Sequence, residues 1–148
     1  MRRTISLLVL FLAAFTAYGQ RSSLNIDKGN ARLTVDGRPY LILGGELGNS
    51  SASCPEDIET NMAKVARMGL NTILVPACWD LIEPKEDSFD FSLIDKVLEE
   101  ARRNDLKVVF LWFGAWKNSM SCYAPLWFKE DYRKYPRAYT EGGKPLEI

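Results

Sequence analysis

Between Asn71 and Asn118 the sequence runs strand, loop, helix, strand, and each strand empties into an aromatic, polar loop. Thr72-Ile73-Leu74-Val75 leads into Trp79-Asp80-Leu81-Ile82-Glu83-Pro84, and Val108-Val109-Phe110-Leu111 leads into Trp112-Phe113-Gly114-Ala115-Trp116-Lys117-Asn118. Short apolar strands that alternate with amphipathic helices imply a parallel sheet with right-handed crossovers. In such sheets the ligand lies beyond the carboxyl ends of the strands, where these loops fall.

The helices are legible from spacing. Ser53-Cys54-Pro55-Glu56 fits a capping box, with Ser53 as the cap and Glu56 reaching back. Ile58, Met62, Val65 and Ala66 then share one helical face, and Gly69 is placed to end the helix in a left-handed conformation. A second helix is expected from about Ser92, burying Leu93, Ile94, Val97, Leu98 and Ala101 and stopping at Asn104 or Asp105. The helix-to-strand joints repeat at about 35 residues, close to the requirement of an eight-fold barrel of about 250 residues. The expected fold class is therefore α/β, the N-terminal part of a (β/α)8 TIM barrel. A short β-hairpin precedes it, with Asp36-Gly37 as a turn between Arg32–Val35 and Pro39–Ile42. Leu41-Ile42-Leu43 reads as a first barrel strand buried on both faces, ending at Gly44-Gly45-Glu46. Beyond Ser119 a long loop with a short helix is expected. The organisation is residues 1–19 as a leader and residues 24–148 as a partial barrel of about three strand–helix units.

The leader rests on Arg2 and Arg3, the apolar stretch Ile5–Ala14 and the small residues Ala17 and Gly19. That stretch is too short to span a bilayer comfortably and has the form of a signal peptide. Export to the periplasm or the extracellular space is expected, with no membrane association after cleavage. The 19 Lys and Arg residues balance 19 Asp and Glu, so no field gathers nucleic acid or an anionic membrane surface. The absence of His rules out a Ser-His-Asp or Cys-His apparatus within the 148 residues, and leaves acid/base work to carboxylates. Cys54, Cys78 and Cys122 lack metal-site spacing, and their odd number allows one disulfide or none. Gly44-Gly45-Glu46-Leu47-Gly48 fits neither the dinucleotide nor the P-loop pattern.

Six residues at strand ends are candidate substrate contacts: Glu46, Trp79, Asp80, Trp112, Trp116 and Asn118. Indole faces pack against the C–H face of a pyranose, and carboxylates and amides hydrogen-bond its hydroxyls. Each also has a plainer reading, as packing at the barrel rim or as a solvated loop charge. Glu83 precedes Pro84, so its backbone is extended, and a structural ion pair competes with ligand contact. Lys117 reads as solvated.

Trp79-Asp80-Leu81-Ile82-Glu83-Pro84 followed by Phe89-Asp90-Phe91 resembles the segment after the second barrel strand in glycoside hydrolase families 35 and 42, the β-galactosidases. Gly44-Gly45-Glu46 is similar to the first-strand segment of family 35. The resemblance covers roughly Leu33 to Phe128 and implies a retaining hydrolase of β-galactosides or related sugars, acting on an oligo- or polysaccharide. It departs at Asp80 and Ile82, where family 35 has Asn and His, and at Trp112-Phe113-Gly114-Ala115-Trp116. It places the acid/base Glu after the fourth strand and the nucleophile Glu after the seventh, so no catalytic residue is assigned here. The remainder of the barrel becomes an expected partner, and the lone chain is expected to be inactive. No cofactor or metal is implied, because paired carboxylates need none. A rival reading is a noncatalytic carbohydrate-binding or surface module built on Trp79, Trp112 and Trp116.

Overall fold

A computed structural model describes residues 21–117 and 122–146. The leader read at residues 1–19 and the candidate Asn118 lie outside the described residues. The chain divides into two compact units, at Leu41 and Ile42.

The first unit is a three-stranded antiparallel sheet of β1 (Ser22–Asp27), β2 (Asn30–Val35) and β3 (Arg38–Pro39), in that order. β1 pairs with β2 along its whole length, from Ser22 opposite Val35 to Asp27 opposite Asn30. Lys28 and Gly29 make the first turn and Asp36 and Gly37 the second, all four at positive φ, as tight hairpin turns require. Thr34 is the buried polar residue of this sheet; its hydroxyl meets Ser23 Oγ at 2.7 Å and accepts from Asn25 Nδ2 at 3.2 Å.

The second unit carries the strand–helix alternation. β4 (Gly44–Glu46), β5 (Thr72–Cys78) and β6 (Lys107–Phe113) run parallel, in sequence order, as the alternation of strands and helices required. Between them lie α1 (Pro55–Arg67), α2 (Trp79–Ile82) and α3 (Ser92–Arg103), and α4 (Leu126–Glu130) follows β6. Asn71 aligns the strands at their amino ends. Its N–H donates to Leu43 O, its carbonyl accepts from Lys107 N–H, and its Oδ1 accepts from Leu43 N–H.

Helices α1 and α3 cover one face of β5. Ile58, Met62 and Val65 from α1 and Val97 and Ala101 from α3 close over Ile73 and Val75, with Leu106 at the edge. The two helices are also tied by charge. Lys96 Nζ donates to Glu59 Oε1 at 2.5 Å and to Glu100 Oε1 at 3.0 Å, and Arg103 satisfies the same Glu100 oxygen at 2.6 Å. Glu100 is thereby held as a buried carboxylate with two cationic partners, the condition under which such burial is tolerated. Gly69 ends α1 at φ +77° and Asn104 caps α3, as the sequence indicated.

Two local expectations need correction. Leu41, Ile42 and Leu43 are exposed, and the strand lies three residues later, at Gly44–Glu46. At the amino end of the sheet Asn71 bonds Leu43 on one side, and among the described residues no strand pairs on the other. The capping box does not form either. Proline takes the first helical position, where its missing N–H costs nothing, so the cap shifts to Cys54 and Glu56 falls one residue short of the reach-back position.

Candidate functional site at the carboxyl ends of the parallel strands

Strand alternation decides which side chains meet. Gly45, Ile73 and Val108 are in register, as are Val75 with Phe110 and Ala77 with Trp112. Because Ile73, Val75 and Val108 belong to the helix-covered face, Trp112 lies on that face too. Glu46 is in register with Leu74 and Val109, on the opposite face, the one that would form a barrel interior. The structure thus separates Trp112 from Glu46, and Trp112 is 59% exposed on a side that α1 and α3 leave open.

On the interior face, Glu46 Oε1 stands 3.9 Å from Lys117 Nζ, which also sits 4.2 Å above the ring of Phe113. Phe113 is buried at the end of β6 and packs at 5.0 Å against Tyr123. Lys117, read from sequence as solvated, is therefore the cationic partner of the first-strand carboxylate. The pair is long and half-exposed and contributes little to stability.

The loops after β5 and β6 are cross-tied into one platform. Asp80 N–H donates to Tyr123 O at 2.9 Å, and Trp127 Nε1 donates to Glu83 O at 2.9 Å. Trp79 Nε1 donates to Glu83 Oε2 at 2.7 Å, and Glu83 Oε1 accepts from Asp87 N–H at 3.0 Å. The Trp79 ring meets Trp127 edge-on at 5.8 Å and Phe128 at 4.9 Å, and Tyr135 closes the cluster at 4.6 Å from Phe128. Further out, Glu86 pairs with Lys134 and accepts from Tyr135 Oη at 2.7 Å. These two donors hold the Glu86 carboxyl below its ordinary range. Among the described residues Glu83 forms no ion pair; its carboxylate locks an indole.

Asp80 stands at the start of α2, and its Oδ1 is buried with no hydrogen-bond partner among the described residues. An acceptor in that condition costs free energy until a donor reaches it. Beside it, burial, and then the Asp80 carboxylate, push the Cys78 thiol up to about 11. Cys78 is expected to stay unmodified by a thiol reagent at pH 8 in the folded chain and to react fully once denaturant is added. Equal labelling in both states would show that the loop over β5 is open. Cys54, Cys78 and Cys122 are all free thiols. Among the described residues no group of three or more Cys, Asp or Glu side chains could hold a metal ion, and no helix is long and apolar enough to cross a membrane.

Trp116 is 58% exposed and lines a cavity of about 260 Å³ with Phe128 and Tyr135. Sequence reasoning missed Tyr123, Trp127, Phe128 and Tyr135 as the scaffold of the platform. Their one signal was the density of aromatic residues between Tyr123 and Tyr135.

Comparison with known proteins adds lineage to this geometry. The glycoside hydrolase 42 family, described as beta-galactosidase, matches residues 50–144. A beta-galactosidase of Xanthomonas manihotis is 29% identical over 116 residues, which cover 74% of this chain and 19% of that protein. The chain therefore spans about a fifth of the length of that curated relative. The exo-beta-1,4-mannosidase Op5Man5 of Opitutaceae bacterium strain TAV5 superposes with a TM-score of 0.52 at 20% identity, over 64% of this chain and 19% of that one. The endo-1,4-beta-mannanase of Rhizomucor miehei superposes with a TM-score of 0.51 at 17% identity, over 73% of this chain and 33% of that one. At such identities the likeness speaks for the fold, part of a (β/α)8 barrel.

Proposed function

The chain belongs to the glycoside hydrolase 42 family of beta-galactosidases, and on that premise we propose that it supplies the first three strand–helix units of a barrel that cleaves O-glycosidic bonds. The proposed substrate is an oligo- or polysaccharide with terminal β-galactoside or a related sugar. Retaining hydrolysis needs two carboxyl groups about 5–5.5 Å apart on either side of the scissile bond. In the family pattern these come from the fourth and seventh strands, beyond β4, β5 and β6. The role that falls to these residues is to bind and orient the sugar. No cofactor enters this scheme. Residues 1–19 would direct export to the periplasm or outside the cell, and within residues 24–148 the barrel portion would begin with the second unit, at Ile42.

The observation that carries the reading is the position of Glu46. It sits at the carboxyl end of a parallel strand, on the face opposite the helices, beside a weakly held lysine that itself lies over the Phe113 ring. Glu46 would accept from sugar hydroxyls, and Asp80 Oδ1 would take a donor it otherwise lacks. Trp116 would offer an exposed indole face, and Asn118 is retained as a candidate on sequence grounds. Trp79 acts through packing, since Glu83 and the neighbouring rings already engage it. The noncatalytic reading, with three indoles as one platform, loses support because Trp112 lies on the helix side of the sheet and Trp79 is locked.

An aryl β-galactoside assay tests the proposal. The 148-residue chain alone is expected to show no turnover, and mixing it with a polypeptide that supplies the remaining barrel units should restore hydrolysis. In that complex Glu46→Gln is expected to raise KM about tenfold, the scale of one hydrogen bond to a charged group. Turnover by the isolated chain, or an active complex indifferent to Glu46→Gln, would refute the assignment.

A further inference from the structure

The cavity beside Trp116 has a charge pattern that a neutral sugar does not need. Trp116, Phe128 and Tyr135 give it an aromatic wall, and Lys129 and Arg137 give it two cations; among the described residues no carboxylate lines it. Arg137 is fixed in place, since Nη1 donates to Leu146 O at 3.0 Å and Nη2 to Tyr132 Oη at 3.0 Å, and the guanidinium lies 4.7 Å from the Tyr132 ring centroid. Both of those acceptors are neutral, so neither compensates its charge. Lys129 closes the last turn of α4 and, like Arg137, makes no ion pair among the described residues. The neighbouring Lys134 differs, being paired with Glu86. A recess that concentrates positive potential over an apolar floor selects for an anion attached to a ring.

We infer that this cavity is a subsite for an anionic sugar unit, a pyranose bearing a carboxylate or a sulfate. The ring lies against the aromatic wall and the anionic group is held between Lys129 and Arg137. At about 260 Å³ the space suits a single sugar unit rather than an extended chain. Arg137 supplies the guanidinium N–H donors not spent on Leu146 and Tyr132, and Lys129 supplies a point charge. The inference rests on the glycoside hydrolase reading and narrows its substrate to saccharides that carry acidic units.

Titration of the 148-residue chain with three probes tests it: digalacturonic acid, galactose 6-sulfate and neutral galactobiose, each followed by calorimetry and by tryptophan emission. The acidic probes are expected to bind about tenfold more tightly than galactobiose at low salt, with the gap closing as ionic strength rises. Lys129→Glu should erase the gap, and Trp116→Ala should weaken all three probes; circular dichroism confirms that each variant is folded. The tighter of the two acidic probes identifies whether carboxylate or sulfate is the natural anion. Equal affinities for all three, a gap untouched by Lys129→Glu, or no binding of any probe would overturn the subsite. None of these results decides the hydrolase reading, which stands or falls on turnover in the completed barrel.

Discussion

Met62→Ala is expected to lower the unfolding free energy by about 2–5 kcal/mol, read as a fall in the urea midpoint at unchanged slope. Met62 is fully buried between the two helices and β5, in one cluster with Ile58, Val65, Ile73, Val75 and Val97. Truncation removes its transfer free energy and leaves a cavity that the flanking branched side chains are too stiff to fill. Small domains have only about 5–15 kcal/mol in total, so the variant should lose a large share of its margin. Met62→Leu conserves volume and should cost under about 1.5 kcal/mol. Near-equal costs for the two variants would mean that the helix layer is loosely packed.

Glu83→Ala should produce the second large effect, about 2–3 kcal/mol, from the loss of charge-assisted hydrogen bonds to Trp79 Nε1 and Asp87 N–H. The damage should extend beyond the two bonds. Trp79 lies against Trp127 and Phe128, so a freed indole unsettles the contact between the loops after β5 and β6. Trp79→Phe removes one donor and keeps much of the ring packing, and is expected to cost less than Glu83→Ala. Thermal unfolding followed by near-ultraviolet circular dichroism ranks the two. If Glu83→Ala melts with the native protein, the carboxylate does not hold the platform.

Much of this architecture is written in short-range pattern. The parallel strands follow from Thr72–Val75 and Val108–Leu111, the helices from the spacing of Ile58, Met62 and Val65 and of Val97 and Ala101, and the helix stop from Gly69. What escaped the sequence depends on parity and on partners. β6 continues through Phe113, so counting in twos from Val108 places Trp112 with the helix-facing residues, whereas treating it as loop placed it in the site. Leu41–Leu43 had the composition of a strand, but strand pairing begins at Gly44, which no local pattern specifies. The salt link between Glu46 and Lys117 and the lock on Trp79 join residues across loops, and contacts of that kind have no periodicity to betray them.

The four tryptophans of the chain fall into two optical classes. Trp79 and Trp127 are enclosed by each other and by neighbouring rings, while Trp112 and Trp116 stand mostly in water. A soluble quencher such as iodide should extinguish the second pair and spare the first. The protein therefore carries its own pair of dyes, one that reports whether the loop platform holds and one that darkens or brightens when something covers the open indoles.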